Sequence, residues 1–186
     1  MSGQSRAVPM HTISVVGKDG KPLVIKGVER IESIILSGTD VRRDAQLYSH
    51  FISRVMRRDF NLTSVKLFWY TKRYTQRQLA KRLLQDLSDE SERLEDLARR
   101  YELPEATPAA TCTMRIISNE ADLLFDVLMK ADRALHKLLH SPMAEVAEEN
   151  AGPFMRSFTA LRNAVFGFEF QGPHRQPSSG QDTAVG

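Results

Sequence analysis

Apolar residues recur at strand spacing only near the start of the chain and at helical spacing over the rest. His11-Thr12-Ile13-Ser14-Val15-Val16 alternates, Lys18-Asp19-Gly20-Lys21 supplies an Asp-Gly turn, and Leu23-Val24-Ile25 returns, which predicts a hairpin over 11–27. A second β-rich run, Arg30 to Leu36, follows Gly27, so residues 11–37 read as a small β ribbon. Strands this short and few make no large sheet alone. They must pair with one another, with a helix layer or with a second subunit.

The remainder reads as helix. Thr39 or Asp40 is placed to cap a helix over 42–58, with an apolar stripe of Tyr48, Phe51, Ile52 and Val55. Asp59-Phe60-Asn61 breaks that pattern and Thr63 or Ser64 restarts it. From 64 to 101 one long helix is the simplest reading. Val65, Phe68 and Trp69 give its first half an apolar patch. Ala80, Leu83, Leu87, Glu90, Leu94, Leu97 and Tyr101 then form a heptad-like seam, suited to packing on another helix of the same domain.

Pro104 and Pro108 bracket a loop, and Cys112 to Ile117 reads as a short strand or an extended entry. Ser118 or Asn119 caps a helix over 120–140, whose core face is Ala121, Leu124, Phe125, Leu128, Ala131, Leu135 and Leu138. Ser141-Pro142 restarts a helix and Gly152-Pro153 interrupts it. A last helical series to Phe166 buries Phe154, Phe158, Leu161 and Val165.

The expected fold is therefore mainly α, in the α+β class: a helical bundle with a small N-terminal β hairpin or ribbon. Residues 11–170 form the single domain: the ribbon (11–37), a basic helix plus long helix (42–101) and an acidic helical part (112–166). Residues 1–10 and 171–186, short polar stretches, are expected to be flexible tails.

Composition narrows the class of protein. Hydrophobic residues make up 41% and charged residues 26% of the 186, enough for a packed core. No apolar run reaches the length of a bilayer span, and residues 1–16 lack the basic start and apolar block of a signal peptide. Cys112 is the only cysteine, which excludes an internal disulfide and fits a reducing, cytoplasmic setting.

The net charge of +3 says little, but its distribution says more. Between residues 41 and 82 eleven bases stand against two acids, Asp44 and Asp59; between 86 and 149 fifteen acids stand against seven bases. Such a chain predicts a surface with one end that attracts a polyanion and one that repels it.

Catalytic signatures are missing. There is no GxxxxGK[ST] or GxGxxG phosphate loop and no GxSxG elbow, and one cysteine builds no thiolate zinc site. Asp132, His136 and His140 fall on one helical face, but Lys137 stands where a metalloprotease-type HExxH needs its glutamate, so neither a metal nor a cofactor is expected. Asp122, Asp126 and Asp132 lack the companion groups of a carboxylate pair.

Two basic stretches suit nucleic acid instead. Phe68 to Arg77 interleaves aromatics with bases, so that cations can neutralise phosphates while rings pack or stack. Arg42 to Arg58 places arginines on the solvent face of the expected basic helix. A strand followed by two helices, from residue 30 onward, is also compatible with a ribbon–helix–helix unit.

The order of elements resembles one known family. The extended RIESIILSGTD (30–40), the charged helix ending in LARRYELP (97–104), the leucine-rich NEADLLFDVLMKADRALHKLL (119–139) and the closing SFTALRNAVFGF (157–168) look like the AcaB-like family of conjugative plasmids and integrative conjugative elements. The resemblance covers residues 30–168 and rests on helix order and patterns such as Lys130-Ala131-Asp132-Arg133. It implies a DNA-binding transcriptional activator of transfer genes, a ribbon–helix–helix-type unit and a dimer.

The expected function is thus a homodimeric, non-catalytic regulator of double-stranded DNA, encoded by a mobile element and able to meet the transcription machinery. Its expected DNA-binding residues are Lys26, Arg30, Arg42, Arg43, Arg54, Arg57, Arg58, Lys72, Arg73 and Arg77. Bases would be read by a ribbon containing Thr12, Ser14, Lys26, Arg30 or Ser33. The alternative is a helical scaffold component of the same element, gripping a partner helix along the seam from Ala80 to Tyr101.

Overall fold

The structure is a computed structural model that describes residues 15–17, 22–23, 31, 41–102, 104–142 and 144–167. The fold is mainly helical with one small antiparallel sheet, the α+β class that the periodicities imply. Strands β1 (Val15–Gly17) and β2 (Pro22–Leu23) pair antiparallel, Val15 opposite Leu23, as the hairpin reading requires. The two longest strands come from elsewhere: β3 (Val41–Leu47) and β4 (Ala110–Ile116), in the order β2-β1-β4-β3.

Residues 41–47 were expected to open a helix, and here the structure corrects the sequence reading. Their side chains alternate: Ala45 and Leu47 are buried and Arg43 is half-buried, whereas Arg42, Asp44 and Gln46 face solvent. That period of two marks a strand with one face on the core. The helical stripe holds only from residue 50, where Ser49 Oγ accepts the Ile52 amide at 3.3 Å and starts helix α1 (His50–Val55). Thr39 and Asp40 lie outside the described residues. So does the expected strand 30–36, except for Ile31, which is helical and 1% exposed. The strand–helix–helix order therefore occurs one element later, with β3 paired to β4 of the same chain.

Asp59-Phe60-Asn61 does not break the helix either. A π turn (Met56–Phe60) carries α1 directly into α2 (Asn61–Tyr70), and the wider turn keeps both Met56 and Phe60 in the core. The break falls later, at Thr71–Arg73, where Arg73 is extended and α3 (Tyr74–Ala98) begins. The expected single helix over 64–101 is thus two.

The seam on α3 is present at a slightly different register. Ala80, Leu84, Leu87, Ser91, Leu94 and Ala98 are buried, with Leu83, Leu97 and Tyr101 packed against them. Glu90 sits at the edge, where it accepts Arg93 Nε at 2.7 Å, and Ser91 takes the centre by donating to the Ser88 carbonyl at 2.8 Å. This seam packs on helices α4 (Asn119–Leu139) and α5 (Ala144–Phe166).

Helix α4 matches its sequence reading: Ser118 Oγ accepts the Ala121 amide at 3.1 Å, and all seven expected core residues are buried. Helix α5 runs through Pro153 rather than stopping at Gly152-Pro153. Proline in a helix interior costs about 3 kcal/mol; burial of Phe154, Phe158, Leu161 and Val165 immediately beyond it offsets that cost. The expected tails, 1–10 and 171–186, lie outside the described residues. Among the described residues no helix is long and apolar enough to cross a membrane.

Candidate nucleic-acid interface

The basic block does not fold into one uniform face. Arg43 points inward from β3 and is held by α4: its Nη1 lies 2.6 Å from Asp122 Oδ1 and its Nη2 2.8 Å from Asp126 Oδ1, with the guanidinium 4.6 Å from the centre of the Phe125 ring. Hydrogen bonds donated to the two carboxylates raise its pKa further above the usual arginine value. Arg43 is committed to the fold, contrary to the expected phosphate contact. Alternation along β3 is the reason: a residue read as lying on an exposed helical face instead points to the core side.

Arg57 is a second departure. It is half-buried within the π turn, and its Nε is enclosed without a hydrogen-bond acceptor. Its charge reaches Cys112, whose thiol is nevertheless pushed up to about 11 by burial, with Asp44 adding to the rise and Arg57 opposing it. A buried thiol held protonated in this way is inert rather than nucleophilic.

Lys66 is half-buried as well, and the remaining described cations of the basic block are exposed. Arg54 and Arg58 stand four residues apart along the helix, and Arg42 lies on the outer face of β3 opposite Arg115 of β4. Around the turn between α2 and α3 the exposed bases are Lys72, Arg73, Arg77, Lys81 and Arg82. Lys72 Nζ sits 4.3 Å from the centre of the Phe68 ring, and Arg77 Nε donates to the Thr71 carbonyl at 3.0 Å. This cluster surrounds the positive end of the α3 macrodipole, which has no acid in its first turn and no side-chain cap. Cations crowded there repel one another and the helix end, and an anion would relieve both. Lys26 and Arg30, with Thr12, Ser14 and Ser33, lie outside the described residues.

Acids concentrate at the other end of α3 and on the neighbouring helix. Lys130 Nζ is 3.6 Å from Glu92 and 3.8 Å from Glu95, so α3 and α4 are tied together there.

Asp132, His136 and His140 are each engaged by neighbouring groups of the fold. Asp132 is fully buried and accepts the Tyr48 amide at Oδ2 and the Ser49 amide at Oδ1, both at 2.8 Å. Burial raises its pKa to about 6, against the lowering effect of those two bonds and of Arg133. The carboxylate clamps the junction between β3 and α1. His136 stacks on the Tyr48 ring with centroids 4.9 Å apart and meets His140 edge-on at 4.4 Å. Its pKa is lowered by burial and by His140, with the Pro104 carbonyl pulling the other way. Among the described residues no group of three or more His, Cys, Asp or Glu is placed to hold a metal.

One feature had no sequence signal. An open groove of about 1250 Å³ lies between β3, α4 and the C-terminal end of α3, with Phe125, Met129 and Ala98 along it and Arg133 and Lys137 at its side. Its walls come from three segments far apart in sequence, so only folding assembles it. Compared with protein families, with characterised proteins and with solved structures, the chain matches none.

Proposed function

We propose that this chain is a non-catalytic DNA-binding protein: a homodimeric transcriptional regulator of a conjugative or integrative mobile element. The observation that carries the reading is the separation of charge on the folded surface. Arg54, Arg58, Lys81 and Arg82 are exposed, and no ion pair among the described residues joins them to the acids of 86–149. A duplex would be held through its phosphates by these side chains together with Arg42, Lys72, Arg73 and Arg77. The acidic helices would face away from the polyanion. The resemblance to AcaB-like proteins supports the biological setting.

Fluorescence anisotropy with duplex DNA, repeated across salt concentrations, tests it. Binding should weaken with a logarithmic slope of roughly 0.9 per phosphate neutralised. Replacing Arg54 and Arg58 with alanine should lower both the affinity and that slope. Absence of binding at low salt would end the proposal. The seam on α3, along which the scaffold alternative would grip a partner, packs on α4 and α5 within the chain, which favours the DNA-binding reading.

A further inference from the structure

The turn between α2 and α3 presents more than charge. Tyr74 opens α3 with its residue 75% exposed, and Trp69, in the last turn of α2, is 38% exposed. Trp69 is braced edge-to-face by Phe68, with centroids 5.1 Å apart, and Lys72 caps the Phe68 ring. The turn is firmly held. The Thr71 amide donates to the Leu67 carbonyl at 3.0 Å, the Lys72 amide to the Trp69 carbonyl at 3.2 Å and Thr71 Oγ1 to the Phe68 carbonyl at 3.2 Å. Arg77 Nε reaches back to the Thr71 carbonyl from α3.

We infer that this turn, besides holding duplex phosphates through its cations, is a preformed stacking platform for an unpaired base, so that the protein also takes a single-stranded or locally unwound stretch. The inference rests on the nucleic-acid reading above and deepens it. A ring face left this open beside Lys72, Arg73 and Arg77 offers what a single strand needs: a π surface for the base and cations for the flanking phosphates. In a closed duplex the base faces are covered by their neighbours, and Tyr74 has nothing to stack on. Because the turn is already fixed by hydrogen bonds, little ordering cost is added on binding.

An anionic membrane surface is the rival for an aromatic and basic patch. It fits less well, because α3 has already buried its apolar stripe of Ala80, Leu84 and Leu87 against the bundle and has no such face to lay into lipid.

The test uses the full chain, oligo-dT, a duplex of random sequence and vesicles containing phosphatidylserine. Trp69 is the only tryptophan, so its fluorescence reports directly on this turn. Oligo-dT should quench it. Tyr74→Ala should weaken oligo-dT binding roughly tenfold, while Tyr74→Phe keeps it and duplex affinity hardly moves. Tyr74 is exposed enough for the alanine variant to fold, and circular dichroism verifies that. If Tyr74→Ala lowers both affinities equally, or neither, the platform is refuted. Binding of duplex with none of oligo-dT refutes the platform but spares the DNA-binding proposal, and binding of neither removes both. Sedimentation with the vesicles that depends on Tyr74, without quenching by oligo-dT, would reassign the patch to membrane.

Discussion

Helix α4 and the helical rod of residues 50–70 pack within the same bundle but are buried in different ways. Helix α4 buries 11 of its 21 residues, nearly all of them apolar, and its enclosed carboxylate, Asp132, has both oxygens bonded. The rod buries as many, 11 of 21 residues, and exposes His50, Arg54 and Arg58 along one side, but its buried set is far more polar. Alongside Ile52, Met56, Phe60 and Leu67 it buries Ser53, Asn61, Thr63 and Ser64, and the hydroxyls of Thr63 and Ser64 have no hydrogen-bond partner. Asp132 thus puts a buried polar group to structural use, whereas the enclosed Thr63 and Ser64 hydroxyls are a net cost.

The sharpest way to break that contrast is Asp132→Ala. It leaves the Tyr48 and Ser49 amides without their acceptor at the β3–α1 junction, and the loss should be about 3 kcal/mol in urea unfolding. A variant as stable as the parent would show that the junction holds without its clamp.

The pH dependence sharpens the same point. The folded-state pKa of Asp132, about 6, lies above the ordinary 3.8, so the folded protein takes up this proton before the unfolded chain does. Its contribution makes the fold more stable as pH falls from about 6 toward 3.8. His136 acts in the opposite sense: its lowered pKa means that stability is lost as pH falls below 6.5. Asp132→Asn should remove the first effect and leave a steady loss on acidification, measured as unfolding midpoints across that range. A parent and variant with parallel profiles would contradict the assignment.

In the rod the expected sign is reversed. Thr63→Val keeps the shape and removes an unpartnered buried hydroxyl, so it should raise stability by about 1 kcal/mol. A loss of similar size would mean the hydroxyl is used. The smallest effect belongs to Arg43→Ala. Its two carboxylate partners are about half exposed, so screening limits the cost to about 0.5 kcal/mol. Salt titration of the parent should recover part of it.

The same contrast decides what could be read from the sequence. A helix with one apolar face announces itself through spacing, and for α4 the cap at Ser118 or Asn119 and the stripe from Ala121 to Leu138 were legible, though the burial of Val127 and Ala134 was not. The rod mixes polar residues into its buried side, so the Asp59-Phe60-Asn61 stretch looked like a break when it joins a π turn to the next helix of a continuous rod. Strand β3 was missed because two arginines, an aspartate and a glutamine in seven residues hide an alternation that only its partner strand reveals. That one misreading also misplaced Arg43. The candidate site was legible as composition, since the basic block and the aromatic run at 68–77 were visible at once. Which cations remain exposed depends on pairings across some eighty residues, as Arg43 with Asp122 shows, and local patterns do not encode those.

Strands β3 and β4 are registered from Val41 opposite Ile116 to Leu47 opposite Ala110, with all of α1, α2 and α3 threaded between them. During synthesis at 5–20 residues per second, Leu47 therefore waits roughly 3–12 s for its neighbour to emerge from the ribosome. Until then its hydrogen-bonding edge and its inward face have no native cover, and the first helices must assemble without the sheet. Closing so long a loop delays the final step, which makes the nascent chain vulnerable to chaperone capture or to strand exchange with a second nascent copy.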